Sequence, residues 1–209
     1  MSEKKISSAV IKRLPRYFRY LRDLLDQGVE RISSEELSRM MHATASQVRQ
    51  DLNSFGGFGQ QGYGYNVEHL KDEIAKILGL DTPHNMIMIG AGNLGRAIAG
   101  YDKFDNRSFH IKGIFDNNPD LVGDVVRGIT IMPMSELKRF IDENDISIAG
   151  LTVPKDQAKD IAEELYGYGI RAFWNFAHVD LRLPDDAYVE NVHLSDSLMQ
   201  LSYRLQNNL

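Results

Sequence analysis

The chain has 209 residues, 43% hydrophobic and 25% charged, a composition with room for one large or two small globular domains and no apolar run near the ~20 residues of a membrane span. It has no cysteine, which excludes disulfides and thiolate chemistry, and its six histidines fall at no metal-ligand spacing, so no metal is expected. The formal charge of −5 is unevenly placed: residues 1–80 carry twelve Lys/Arg against ten Asp/Glu, the remainder twelve against nineteen. A basic head on an acidic body suits a chain whose front end meets a polyanion. The N-terminus shows no apolar signal core, and a cytoplasmic location is expected.

"RLPRYFRYLRDLLDQGV" predicts a first helix with Pro15 in its opening turn and Gly28 near its end, its apolar face using Tyr17 or Tyr20 with Leu21, Leu24 and Leu25. Ser33 and Glu36 have the S-x-x-E spacing of a capping box, and Thr44 and Gln47 repeat it as T-x-x-Q, so two short helices follow in helix-turn-helix order. The third helix should bury Val48, Leu52 and Phe55 and turn Ala45, Ser46, Arg49, Gln50 and Asn53 outward. Arginine can pair with guanine edges and amides with adenine edges, which makes Ser46, Gln47, Arg49, Gln50 and Asn53 candidate DNA contacts. "GGFGQQGYGYNVEHL" then interleaves glycines with Phe58, Tyr63 and Tyr65, the composition of a tight β-hairpin. Placed after such a helix, the hairpin is the wing of a winged-helix domain over residues 1–80. "NVEHLKDEIAKILGL" closes that domain as a helix with Val67, Leu70, Ile74, Ile77 and Leu78 inward.

From residue 84 to 190 the pattern changes to alternating strands and helices. "MIMIG" is a short buried strand, after which Gly90, Gly92 and Gly95 give G-x-G-x-x-G, and "HIKGIFD" is a second strand ending in Asp116. The glycines permit a tight turn and close approach of a pyrophosphate, with Ala91, Asn93 and Leu94 filling the turn; Asp116 can accept bonds from ribose hydroxyls and would repel a 2′-phosphate. NAD(H) is therefore expected over NADP(H). Further strands at "ITIMP", "ISIAGLTVP" and "RAFWNFA", separated by helical patterns, imply a doubly wound parallel sheet of the Rossmann type. Thr152, Val153, Pro154 and Asn175, Phe176, Ala177 lie at two strand ends, where the nicotinamide half would sit. No Y-x-x-x-K or other acid/base arrangement accompanies this site, and little chain is left for a substrate domain. The last segment, residues 192–209, spaces Leu194, Leu198, Leu201 and Leu205 as one apolar helix stripe, suited to the chain's own sheet or to a symmetric dimer on palindromic DNA.

The motifs "KRLPRYFRYL", "SSEELSR", "TASQVRQDLNSFGGFGQQGYGYNVEHL", "IGAGNLGRAIAGY", "FDNNP", "LTVP", "GIRAFWNFA" and "VENVHLSDSLMQL" together resemble the Rex family of bacterial redox-sensing repressors. The resemblance implies a homodimer that holds palindromic double-stranded operators when NADH is scarce, is released by NADH, and swaps its terminal helix into the partner. It places Arg49 and Gln50 on recognition-helix contacts, Gln61, Gly62 and Tyr65 on wing contacts, and Gly90, Gly92, Asn93, Leu94, Gly95 and Asp116 on the dinucleotide site. By the same resemblance Tyr101 senses the nicotinamide end and Arg19 ties the DNA-binding domain to the partner's terminal helix. Departures are visible: His193 stands where members carry an aspartate that pairs with that arginine or that tyrosine, with Asp196 one turn later as a substitute, and His178 stands at a position commonly proline. Gln50 and Gln61 replace residues basic in some relatives, which would flatten salt dependence. Two alternatives stay open on the residues alone: a small NAD-dependent oxidoreductase whose front domain dimerises it, and a DNA-binding protein whose Rossmann site takes coenzyme A or another adenosine ligand.

Overall fold

The computed structural model describes residues 7–56, 63–102, 104 and 108–207, with the backbone alone at residues 59 and 60. Gln61, Gly62 and Phe58, named above, lie outside the described residues. The chain divides into two compact units, Met1–Thr82 and Pro83–Leu209.

In the first unit α1 (Ser8–Asp26) begins five residues before the expected start at Arg13, because the Ser7 hydroxyl accepts the Val10 N–H and caps it. Pro15 consequently sits inside the helix rather than in its first turn. There it withholds the N–H that the Ile11 carbonyl would otherwise accept. Leu14, Tyr17 and Leu21 form the buried face and Tyr20 is only half-buried, which resolves the choice between the two tyrosines. The Ser33–Glu36 capping box is complete and opens α2 (Ser34–Met41). Thr44 caps α3 (Ala45–Asn53) by accepting the Gln47 N–H, but the Gln47 side chain turns away from the cap, so the second box is only half made.

The short strands β1 (Arg31–Ile32), β2 (Gly59–Gln60) and β3 (Gly64–Asn66) form an antiparallel sheet in the order β1-β3-β2, so the expected hairpin gains a third strand. Asn66 caps α4 (Val67–Ile77), which buries Val67, Leu70 and Ile74. Ile77, expected inward, is exposed, since the burial stripe passes instead to the half-buried Leu78.

The second unit is a sheet of β4 (His84–Ile89), β5 (Phe109–Asp116), β6 (Val125–Val126), β7 (Ile129–Pro133), β8 (Ile146–Leu151), β9 (Ala172–Asn175) and β10 (Tyr188–Asn191). The order is β10-β9-β8-β4-β5-β7-β6, parallel throughout except for β6 against β7. Leaving out the edge hairpin strand β6, this is the doubly wound order whose direction of winding reverses between β4 and β8, where such sheets bind ligands. The short edge strands β6 and β10 were not legible in the sequence, and β8 ends at Leu151, so Thr152–Pro154 is loop. On one face α6 (Leu137–Asn144) and α7 (Lys155–Gly167) pack over Ile87, Ile89, Phe115, Leu151 and Phe173. The other face carries α5 (Asn93–Ala99) over Met86, Met88 and Ile114, leaving beside it an apolar hollow of about 640 Å³ bordered by Phe104, Ile148, Trp174 and Tyr188. The last helix, α8 (Leu194–Asn207), buries no residue, and Leu194, Leu198, Leu201 and Leu205 are all more than half exposed.

Candidate functional site

Two surfaces carry the residues singled out by the sequence, one in each unit. In the first unit the outer side of α3 is a shallow cleft lined by Ser46, Arg49, Gln50, Asn53 and Ser54. Arg49 donates to the Ser34 hydroxyl at 2.9 Å, so its guanidinium is already directed across the start of α2. Gln47, grouped with these residues by sequence, is not part of the cleft: its amide N–H donates to Asp51 Oδ1 at 2.8 Å on the inner side of the helix. Tyr65, expected on the wing surface, is 7% exposed and packs into the core, where burial raises its hydroxyl above the ordinary value. Its ring anchors β3 to the helices instead of presenting itself to solvent. Arg19 is exposed on α1, its guanidinium carbon 5.4 Å from the centre of the Tyr20 ring.

Asp51, which the sequence reading passed over, is the buried polar hub of this unit. Its carboxylate is 0% exposed and receives a two-pronged ion pair from Arg13 (2.7 Å at both oxygens), the Tyr17 hydroxyl at 3.0 Å and Gln47. Burial pushes the carboxyl up, and the donated bonds of Arg13, Gln47 and Tyr17 outweigh it, leaving Asp51 below its usual range. The signal was present in the spacing: positions 48, 51, 52 and 55 form one helical stripe, and an acid within it requires a partner.

In the second unit the turn after β4 is built around its glycines. Gly90 has φ +96°, and a Cβ there would meet the Thr152 carbonyl oxygen at 2.7 Å; a Cβ on Gly95 would meet the Gly90 oxygen at 1.9 Å. These two glycines are required by the protein's own packing. A Cβ on Gly92 would meet nothing within 4 Å, so the protein leaves open the space beside that backbone. Thr152 fixes the turn from the next strand end, its hydroxyl donating to the Gly90 oxygen at 2.8 Å. Asp116 accepts the Ala91 N–H at 2.6 Å and the Asn118 N–H at 2.8 Å, which leaves lone pairs on both oxygens. A cavity of about 840 Å³ runs over this turn, bordered by Gly90, Gly92, Asp116, Thr152, Val153 and Pro154. Asn93 and Leu94 open α5 from the exposed side of the turn.

Other expected members sit apart from the cavity lining. Asn175 is fully buried and its side chain is committed to protein: it donates to the Val179 carbonyl and Asn191 and accepts the Ala177 N–H. Phe176 and Ala177 are buried beside it, with the Phe176 N–H on the Leu151 carbonyl. Tyr101 is 43% exposed and borders a separate hollow with Phe104, Phe109 and Ile129, its ring edge-on to Phe104 at 5.0 Å. His193 stacks on His178, ring centres 5.6 Å apart, so the two departures noted in the sequence meet in space just before α8. Its carbonyl accepts the Asp196 N–H at 3.1 Å, placing Asp196 in the helix's first turn beside the exposed Leu194.

Comparison with known proteins matches residues 5–53 to a family described as "Putative DNA-binding protein N-terminus" and residues 81–179 to a CoA binding domain. A redox-sensing transcriptional repressor Rex of Thermoanaerobacter pseudethanolicus is 58% identical over 98% of this chain and 92% of its own length, and one of Clostridium perfringens is 53% identical over 100% and 99%. The chain belongs to the Rex family. Among solved structures, the Rex-family repressor RSP in complex with β-NAD+ and operator DNA superimposes with a TM-score of 0.91 at 57% identity, covering 97% of this chain and 94% of that one. RSP in complex with β-NADH gives the same score at 53% identity, over 98% and 96%. Rex-family relatives spanning the whole chain are named repressors, and the oxidoreductase alternative falls with that membership.

Proposed function

We propose that this Rex-family chain represses transcription by holding palindromic operator DNA as a homodimer and lets go when NADH occupies its Rossmann unit. The observation that carries the reading is the open space beside Gly92, in a turn whose other two glycines are demanded by the fold. A pyrophosphate fits there, against backbone N–H groups that the first turn of α5 cannot satisfy internally. Asp116, with lone pairs remaining, suits the adenosine ribose and repels a 2′-phosphate, while Thr152, Val153 and Pro154 flank the path to the nicotinamide. Asn175, Phe176 and Ala177 support that path from behind. The relatives solved with β-NAD+ and β-NADH favour nicotinamide dinucleotides over coenzyme A for this site.

On the DNA side, Ser46, Arg49, Gln50 and Asn53 face outward to read base edges, and Gln61 and Gly62 are assigned, by the family resemblance, to contacts with the backbone or minor groove. The exposed leucine stripe of α8 and the apolar hollow at Trp174 and Tyr188 are the surfaces a second copy covers, with α8 crossing to the partner. Tyr101, Arg19 and the His193–Asp196 segment form the switch between the two dimer arrangements. No helix among the described residues is long and apolar enough to cross a membrane. A protein that reads bacterial operators works in the cytoplasm, where the DNA is. Operator binding compared at one salt concentration with NADH, NAD+, NADPH and coenzyme A tests this: NADH alone should release the DNA. Release by coenzyme A, or by none of the four, would overturn it.

A further inference from the structure

The helix assigned to DNA is braced from behind by a buried carboxylate set among its apolar contacts. Asp51 lies on the inner side of α3, fully buried, and all its nearest donors are side chains: Arg13 and Tyr17 from α1 and Gln47 from α3 itself. A carboxylate held by a two-pronged guanidinium has little rotational freedom, because both oxygens must stay in the guanidinium plane. Tyr17 adds a third direction and is itself 0% exposed, so the rotation of α3 against α1 is set by this cluster as well as by apolar contacts.

Gln47 decides what the cluster is for. Its exposed neighbours Ser46 and Gln50 line the outer cleft, but Gln47 reaches inward to Asp51 and half of its cap is given up to do so. We infer that Asp51 and Gln47 are positioning residues for operator recognition, Gln47 bracing α3 rather than reading a base, with base reading left to Ser46, Arg49, Gln50 and Asn53. This rests on the DNA-binding reading above. It also divides α3 by sequence: Gln47 and Gln50 carry the same amide within one helix turn, yet they do different work.

The two roles leave different marks. Losing a reader relaxes preference at the one or two base pairs it touches, by roughly 5- to 150-fold for a good contact. Losing a brace loosens every base contact together and spares binding to phosphates, which needs no register. The experiment uses the full chain and the duplex recovered by selection from random-sequence DNA, together with single-base-pair variants of that duplex and one unrelated duplex. Gln50→Ala should lose preference at individual positions. Gln47→Ala should lower discrimination evenly over all positions and leave affinity for the unrelated duplex and its salt slope unchanged, with Asp51→Asn doing the same more strongly. A loss confined to one or two base pairs in Gln47→Ala would overturn the assignment. So would a parallel fall on the unrelated duplex, which marks simple unfolding; because Gln47→Ala leaves Asp51 its Arg13 and Tyr17 donors, that variant keeps the test open even where Asp51→Asn does not fold. Recovery of no preferred duplex by the wild-type chain would overturn the DNA-binding reading itself.

Discussion

Gly92 and Gly95 look alike in the motif and differ in what demands them. Gly95→Ala puts a methyl group 1.9 Å from the Gly90 oxygen, so the turn must move, and calorimetry should show a lowered unfolding temperature along with lost cofactor binding. Gly92→Ala meets no protein atom and should leave the unfolding temperature unchanged while NADH affinity drops roughly tenfold or more, the ~1–3 kcal/mol cost of overpacking falling on the ligand alone. Equal effects of the two substitutions on stability would contradict this division. The Asp51 cluster predicts a pH profile. Asp51 is held below its ordinary 3.8, so the stability it contributes is present above that value and is lost as pH falls through the lower folded value. Tyr17 is raised above its ordinary 10.0 by burial and by Asp51, so its contribution is complete below 10.0 and fades as pH rises further. Chemical denaturation of the first unit should therefore vary little through neutral pH and weaken at both extremes, and Asp51→Asn should remove the acid limb. The glycines were legible in the sequence because a motif spells them out; Asp51 was not, because an acid on an inward stripe acquires meaning only when Arg13, thirty-eight residues away, is seen beside it.

At the scale of elements, helix starts were legible where a cap has a reciprocating Glu or Gln three residues on, as with Ser33 and Glu36, whereas Ser7 has only Val10 there; strands were legible where an apolar run leads into a recognisable turn or a charged end, as with β4 before Gly90 and β5 before Asp116. The two-residue strands β1 and β6 carry no periodicity, and β10 is specified by its pairing with β9 rather than by its own side chains. Proline misled for a physical reason: it favours a first turn, but the cap at Ser7 starts α1 earlier and the cost is carried in the helix interior. Pro15→Ala should then stabilise the first unit by about 1–2 kcal/mol, the helix gain being partly offset by a freer unfolded chain, and an urea titration would show it. On α8, Leu198 and Leu201 are 66% and 53% exposed on the stripe assigned to the partner. Leu198→Glu with Leu201→Glu should shift the chain from dimer to monomer in sedimentation and weaken operator binding, since a palindrome rewards two heads on one body. A dimer that persists would place the interface elsewhere.

For the whole molecule, a DNA-reading unit and a cofactor unit on one chain acquire meaning only when coupled. If NADH favours one arrangement of the dimer and operator DNA the other, the coupling is reciprocal, and saturating operator must weaken NADH by the factor by which NADH weakens operator. Reduction removes the positive charge of the nicotinamide ring, and that is the chemical difference the site must convert into a preference between arrangements. The stacked pair His178–His193 stands at the base of α8, where such a preference would pass to the partner. The most direct test holds total nicotinamide dinucleotide and salt constant, varies the NADH fraction from none to all, and follows operator affinity of the full chain by fluorescence anisotropy. Operator affinity should fall steadily as the NADH fraction rises, whereas an affinity that stays constant across the series would contradict the coupling of the two units.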